Sequence, residues 1–336
     1  MKNFLIRYKY ILGIVVSISL LYLALKDIDY AKLLEYFGSE NIDMVIYVFL
    51  VNLILRVVIT LRWHKMLDIF PANNFITTFN YTNIGYFVNN ILPARLGDVI
   101  KSYLLAKKKK YNKTQVFTSA VIERIFDLIG LSVLFIIAIF RYDIPDNILN
   151  GGLIFIGILA LGSVIVLLMM KKQDLINLRP ESISKYRIIN FIKDKIASIF
   201  RYIQKYLNFK DLSYLLFTTA IVWFFYVFAG YIIIERLGGQ LSWDASILSL
   251  ILLGISFILP STPGNVGVHQ FACVVAFGIL GLDKTEAVAF SFYYQIPVII
   301  ISIILGFISI YYEGFSLKGI SQASKKAESG ALNEVS

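Results

Sequence analysis

The sequence predicts an all-α, polytopic membrane protein: six full spans plus two re-entrant, broken helical hairpins arranged as an inverted repeat. Three observations lead there. Of 336 residues, 58% are hydrophobic and only 16% charged, against about 25% charged in a soluble domain. Apolar runs of roughly 18 or more residues, the length a helix needs to cross about 30 Å of hydrocarbon, recur along the whole chain. Two of these runs are broken in the middle by proline and glycine, which stop a helix where it should continue. One transmembrane domain over 1–320 is expected, half one being 1–140 and half two 150–320, with a disordered polar cytoplasmic tail at 321–336.

The first run, 10–25, follows Lys2, Arg7 and Lys9 and resembles a secretory signal, but no small-residue cleavage site follows it. Lys26, Asp27 and Asp29 come next, so it reads as an uncleaved first span. A second span is expected at 44–61. The run 75–105 is broken by Pro93-Ala94-Arg95-Leu96-Gly97. Full spans at 116–140, 153–170 and 214–234 follow. The run 246–282 is broken by Pro260-Ser261-Thr262-Pro263-Gly264-Asn265-Val266-Gly267, and a last span covers 290–311. Between spans, the basic loop 171–211 holds ten Lys or Arg against four Asp or Glu, interleaved with Ile188, Phe191, Ile192, Ile196 and Phe200. That pattern fits an interfacial amphipathic helix facing anionic lipid headgroups at the cytoplasmic face, the alternative being a solvated linker.

Positive charges set the orientation. If each broken run enters and leaves by one face, the N-terminus, 62–74, 107–110, 171–211 and 318–326 fall on one side, and all are basic. The other side receives 26–43, 141–150, 235–245 and 283–286, none with net positive charge. Both termini are therefore expected in the cytoplasm. The net charge of +10 is spread over the cytoplasmic pieces and does not form a face for nucleic acid. Cys273 is the single cysteine, lies in an apolar stretch and reads as packing.

The broken runs resemble each other. Ile91-Leu92-Pro93-Ala94-Arg95-Leu96-Gly97-Asp98-Val99 aligns without gaps on Ile258-Leu259-Pro260-Ser261-Thr262-Pro263-Gly264-Asn265-Val266. Three expected spans separate them, an odd number, so the hairpins would enter from opposite faces. Non-helical backbone at membrane depth must be buried in protein or line a wet cavity. Matched Gly/Pro interruptions in two inverted halves point to a transporter's midplane site, where helix ends present partial charges. The alternative is a pair of tight kinks in buried helices.

Charge at that depth is the second pointer. Arg95 and Asp98 lie in the first break, and Glu123, Arg124 and Asp127 in the next span. Each costs roughly 2.5 to 3.5 kcal/mol near a helix centre, so such residues pair or line a polar cavity. Glu123 and Asp127 are four apart and share a face, where like charges repel unless a cation or proton intervenes. Arg95 is the first candidate partner, with Arg124 on a neighbouring face. A buried ion-pair network with a purely structural role is the alternative. Arg56 is close enough to the end of its run to reach the interface along its aliphatic stem. His269, beside Gln270, fits a hydrogen-bonding or packing residue better than a metal ligand, and no ligand cluster for zinc or iron is visible. Nor is there a phosphate-binding Gly-x4-Gly-Lys loop, a Gly-x-Ser-x-Gly elbow or a His-Glu-x2-His motif, so ATP-driven transport by this chain is not expected.

Asn89-Asn90-Ile91-Leu92-Pro93-Ala94-Arg95-Leu96-Gly97-Asp98, then Glu123-Arg124-Ile125-Phe126-Asp127, then Leu259 through His269 together resemble the flippase-like membrane family named after the transmembrane region of lysylphosphatidylglycerol synthase. The resemblance covers nearly the whole chain. It implies a prokaryotic cytoplasmic-membrane protein related to a domain that moves aminoacylated phosphatidylglycerol between leaflets. Family members often carry Glu where Asp98 and Gln270 stand here. The soluble aminoacyltransferase domain of the bifunctional synthases is not among these 336 residues, so aminoacylation is not carried over.

The reading that results is a lipid translocase for a polar-headgroup phospholipid or lipid-linked molecule, with no cofactor, metal or catalytic residue. Arg95 and the half-helix N-termini after Pro93, Gly97 and Gly264 would contact phosphate. Asn89, Asn90, Ser261, Thr262 and Asn265 would add neutral hydrogen bonds, with His269 and Gln270 beside them. Glu123 and Asp127, next to Arg124, would hold a cationic headgroup or exchange protons. A membrane-embedded lipid-modifying transferase with Asp98 or Glu123 as general base, and a scaffold that docks a partner enzyme on 171–211, are the alternatives.

Overall fold

The computed structural model describes residues 2–38, 41–91, 96–142, 146, 149–154, 157, 202, 204–206, 208–256 and 262–328. Among them every regular element is helical. Helix α1 (Lys2–Leu25) turns by 96° through Lys26 and Asp27 into the short α2 (Tyr30–Tyr36). Asp29 caps α2 by accepting hydrogen bonds from the backbone of Ala31 and Lys32, each 3.0 Å. There follow α3 (Ile42–Met66), α4 (Phe75–Ile91), α5 (Gly97–Lys109), α6 (Lys113–Arg141), α7 (Phe209–Arg236) and α8 (Ser242–Ser256). A 3-10 turn (Pro263–Asn265) leads to α9 (Val268–Ile279), α10 (Lys284–Tyr312) and α11 (Leu317–Glu328).

Three helices, α3, α7 and α10, are long and apolar enough to cross a membrane, and α1 with α2 makes a fourth if that bent pair is one span. Helix α6 is as long as α10 but carries Glu123, Arg124 and Asp127 in its middle. The expected span at 153–170 and most of the loop 171–211 lie outside the described residues. Each described span is longer than its apolar run, because polar capping residues and terminal charges belong to the helix: Asn112, Asn208 and Asp283 cap α6, α7 and α10. At the C-terminus the expected disorder from 321 gives way to helix α11, which continues to Glu328 with Ile320 and Ala323 buried against the bundle.

Both expected breaks are real, and at the first the chain folds back. Gly85 and Lys101 would stand about 24 Å apart on one continuous helix. Here a Cβ built on Gly85 would meet the Lys101 side chain at 3.1 Å. The return is tight because Gly97 has no side chain: a Cβ there would lie 2.1 Å from the Gly85 carbonyl oxygen. Helix α8 likewise packs against α9. The second break needs glycine for a different reason, since Gly264 and Gly267 hold φ of +70° and +87°, left-handed backbone that glycine adopts freely.

Two apolar cores lie one above the other. One joins Leu55 and Ile59 of α3 to Leu131 and Leu134 of α6, Val222 of α7 and Phe290 of α10. The other joins Trp63 and Met66 of α3 to Ile122 and Phe126 of α6, Leu215 of α7 and Ile310 of α10. Helices α3, α6, α7 and α10 each change core at a polar stretch, so Thr60 and Arg62, Glu123 and the half-buried Asp127, Thr218 and Thr219, and Ser302 form a polar seam across the bundle.

Candidate functional site

The seam is built around α6. Asp127 stands midway along that helix, and Glu123 is one turn before it, so both carboxylates face α3. The cation that separates them is Arg62. Its Nη2 donates to Asp127 Oδ1 at 2.5 Å and lies 3.8 Å from Glu123 Oε1, while Nη1 donates to Thr219 Oγ1 at 3.2 Å. On the other side, Lys101 of α5 donates to Glu123 Oε2 at 2.5 Å, lies 3.3 Å from Asp98 Oδ1 and sits over the Trp63 ring at 4.3 Å. Arg124 closes the circuit. Its Nε and Nη2 grip Asp98 at 2.8 and 2.9 Å, and its Nη1 reaches Asp127 Oδ2 at 2.8 Å.

Three cations, Arg62, Lys101 and Arg124, thus meet three carboxylates, Asp98, Glu123 and Asp127. The floor is dry: the side chains of Arg62, Glu123 and Lys101 are 1%, 1% and 3% exposed. The rim is open. Arg124 is 46% and Asp98 28% exposed, so the cluster has a buried floor and an accessible edge.

Sequence reasoning assigned Arg62 to the loop after α3 and overlooked Lys101. The signal for Lys101 was its spacing of three from Asp98 on one helix face. Arg124, expected on a neighbouring face, instead bridges Asp98 and Asp127. Arg56, expected to reach the interface, is 4% exposed and lies over the Tyr86 ring with 3.3 Å to its centroid. Arg95, Pro93 and Ser261 fall outside the described residues.

The two breaks converge: Asn90, at the end of α4, is 3.9 Å from where a Cβ on Gly264 would lie. The half-helix ends are occupied by the chain itself. Asn89 Oδ1 accepts from the Gly97 amide at 2.7 Å at the start of α5. Gln270 Oε1 accepts from the Gly267 amide at 2.7 Å at the start of α9, and Gln270 Nε2 donates to Gln295 Oε1 at 2.7 Å. Asn90 Nδ2 donates to the Tyr86 carbonyl. The Thr262 amide donates to Ser17 Oγ of α1 at 3.0 Å, and Asn265 adopts left-handed backbone. His269 is buried and stacks on Tyr294. The ungapped sequence match therefore hides a structural offset, since α5 starts at Gly97 whereas α9 starts at Val268, four positions beyond the aligned Gly264, after the 3-10 turn. Among the described residues no group of three or more His, Cys, Asp or Glu is arranged to hold a metal ion.

Comparison with known proteins places a family over most of the chain: residues 10–306 match the profile described as Lysylphosphatidylglycerol synthase TM region. A UPF0104 membrane protein of Methanocaldococcus jannaschii is 29% identical over 231 residues, covering 67% of this chain and 93% of that protein. A second from the same organism is 23% identical over 293 residues, with 83% and 87% covered. A UPF0104 membrane protein of Pyrococcus horikoshii is 24% identical over 306 residues, with 84% and 90% covered. No solved structure matches.

Proposed function

This chain belongs to the Lysylphosphatidylglycerol synthase TM region family, and on that premise we propose that it is a lipid translocase. It moves a polar-headgroup phospholipid or lipid-linked molecule between the leaflets of a prokaryotic cytoplasmic membrane. In this reading the α4–α5 and α8–α9 pairs are re-entrant hairpins from opposite faces, the halves form an inverted repeat with six full spans, and both termini are cytoplasmic. The fold-back at Gly85 and the convergence of Asn90 with Gly264 support it.

The observation that carries the proposal is the balanced ion cluster, buried at its floor and exposed at its edge, at mid-helix depth. A headgroup phosphate is an oxyanion with the same fork geometry as the Asp98 carboxylate, so it can take the place of Asp98 on Arg124. The freed carboxylates then hold a cationic headgroup end or a proton. The headgroup is exchanged for an internal ion pair, and the charge of the site is conserved at every stage. Arg95, next to Asp98 in the break, is the second phosphate contact. Asn89, Asn90, Ser261, Thr262 and Asn265 supply neutral hydrogen bonds once the breaks part, and the amides that Asn89 and Gln270 now cover become available. His269 lines the same passage.

Reconstitution into proteoliposomes with fluorescent phospholipids tests this. Wild type is expected to exchange lipid between leaflets at least tenfold faster than protein-free vesicles, and Arg124→Ala or Asp127→Asn to lose most of that rate while keeping the fold. Wild type no faster than bare vesicles across anionic, zwitterionic and aminoacylated lipids would defeat the proposal. Covalently altered lipid among the products would replace it with the transferase reading.

A further inference from the structure

Arg56, one turn before Thr60 of the seam, is a buried charged group that the ion cluster does not use. It sits on a buried polar stripe of α3 with Asn52 and Thr60, four residues to either side. Its Nη2 donates to Ser302 Oγ of α10 at 2.6 Å, and its guanidinium plane rests on the Tyr86 ring of α4. Ser302 Oγ donates its own hydrogen bond to the Val298 carbonyl at 2.6 Å. The Nη1 atom is buried with no hydrogen-bond partner among the described residues. Among the described residues its side-chain neighbours of record are the Tyr86 ring and the Ser302 hydroxyl, and no carboxylate forms an ion pair with it.

A guanidinium keeps its charge at any physiological pH. Left with neutral partners at bilayer depth, it is costly unless something else supplies the anion. Arg62, six residues along the same helix, has two carboxylates, so the bundle is able to provide a counter-charge where the fold alone requires one. The aromatic face under Arg56 orients the fork and shields one side of it. Nearby, the Tyr294 hydroxyl donates to the Tyr226 carbonyl, and the Tyr294 ring stacks on His269 at the second break.

We infer that Arg56 is a pre-built oxyanion subsite for the phosphodiester of an anionic phospholipid, separate from the Arg124 fork, with Nη1 as the donor held in reserve. Its depth favours a lipid over free phosphate, because a phosphodiester is held in the bilayer by its acyl chains and has a single charge to desolvate, whereas inorganic phosphate has no such anchor and carries more charge near pH 7. The subsite deepens the translocase reading and rests on it for access: Arg56 is closed in the present packing, so loading requires the seam between α4 and α10 to part, the kind of movement alternating access provides. The lipid class that follows carries one phosphate charge.

Binding, not transport, separates the two ideas. Full-length protein in nanodiscs is titrated with fluorescent phosphatidylglycerol and with the matching diacylglycerol, which lacks the phosphate. Arg56→Gln is expected to weaken phosphatidylglycerol binding at least tenfold and to leave diacylglycerol binding unchanged. If that variant does not fold, Arg56→Lys decides: loss of the two-pronged donor should lower the preference for phosphatidylglycerol about fivefold. An unchanged preference in whichever of the two variants folds would overturn the subsite. Inorganic phosphate competing as strongly as phosphatidylglycerol would overturn its assignment to a lipid. Intact phosphate-dependent binding together with absent leaflet exchange would instead sink the translocase reading and leave the subsite standing.

Discussion

Arg62 and Arg56 are six residues apart on α3, and both are almost wholly buried. Arg62 is enclosed by carboxylates, with Asp127 at 2.5 Å and Glu123 at 3.8 Å. Arg56 has a serine hydroxyl, a tyrosine ring and one empty donor. Breaking a buried pair strands the remaining charge, which is why truncating one partner is far more damaging than the net worth of the pair. A cation that has no partner strands nothing when it is removed. The contrast separates charge that the folded state has neutralised from charge that it has left open, and only the second kind implies a missing ligand.

The strongest way to break this comparison is to remove Arg62. Arg62→Met leaves Asp127 and Glu123 four residues apart without their shared cation, and a loss of about 3–5 kcal/mol is expected in denaturant unfolding in detergent. The cluster should also behave as a unit. Lys101→Met combined with Glu123→Gln is expected to cost at least 1 kcal/mol less than the sum of the two single changes, roughly the coupling seen for residues in one network. Purely additive losses would mean that the six residues are neighbours without being a circuit.

Arg56→Met should do the opposite. It removes a ring contact worth about 1–2 kcal/mol and one hydrogen bond, but it also removes an uncompensated buried charge and puts an apolar side chain of similar length in its place. The two sides nearly cancel, so lipid-free protein is expected within about 1 kcal/mol of wild type, on the more stable side. A melting temperature that falls as far as that of Arg62→Met would show that Arg56 has a structural counter-ion after all.

How much of this could be read in advance divides along the same line. The breaks were legible because proline and glycine act locally: Gly97 is needed for contact with Gly85 and Gly264 for its positive φ, and neither requirement depends on a distant residue. The carboxylates Asp98, Glu123 and Asp127 were legible as expensive groups at depth. Their partners were not, because pairing is set by which helices meet. Arg62 ends an apolar run and was therefore assigned to water, whereas α3 continues to Met66 and carries it inside. Arg56 follows the same rule, since it lies five residues from the end of the apolar run at Leu61 but ten from the end of α3 at Met66. The separation of the two apolar cores by a polar seam is a property of four helices packed in register, so no single stretch of sequence announces it.

The smallest expected effect comes from charges just beyond the end of α3, where water replaces the seam. Asp68 accepts from Lys205 at 2.6 Å, from Lys65 at 3.0 Å and from Tyr206 at 2.9 Å, with about a third of its side chain exposed. Burial by itself raises its carboxyl, but the hydrogen bonds from Lys205, Lys65 and Tyr206 outweigh that and hold it below the ordinary carboxylate range. A depressed value means that the unfolded chain takes up the proton first. The contribution of Asp68 is therefore complete above about pH 3.9 and is lost only as pH falls through its folded value, leaving stability flat with respect to this group between about pH 5 and 8. Solvent screening keeps the contribution small, so Asp68→Asn should cost less than about 1 kcal/mol, and most of that should vanish near 1 M salt, where the Debye length falls to about 3 Å. Unfolding of wild type and Asp68→Asn at low and high salt measures this directly. If Asp68→Asn proved as damaging as Arg62→Met, burial would not be what distinguishes the seam, and the case for an empty donor at Arg56 would lose its premise.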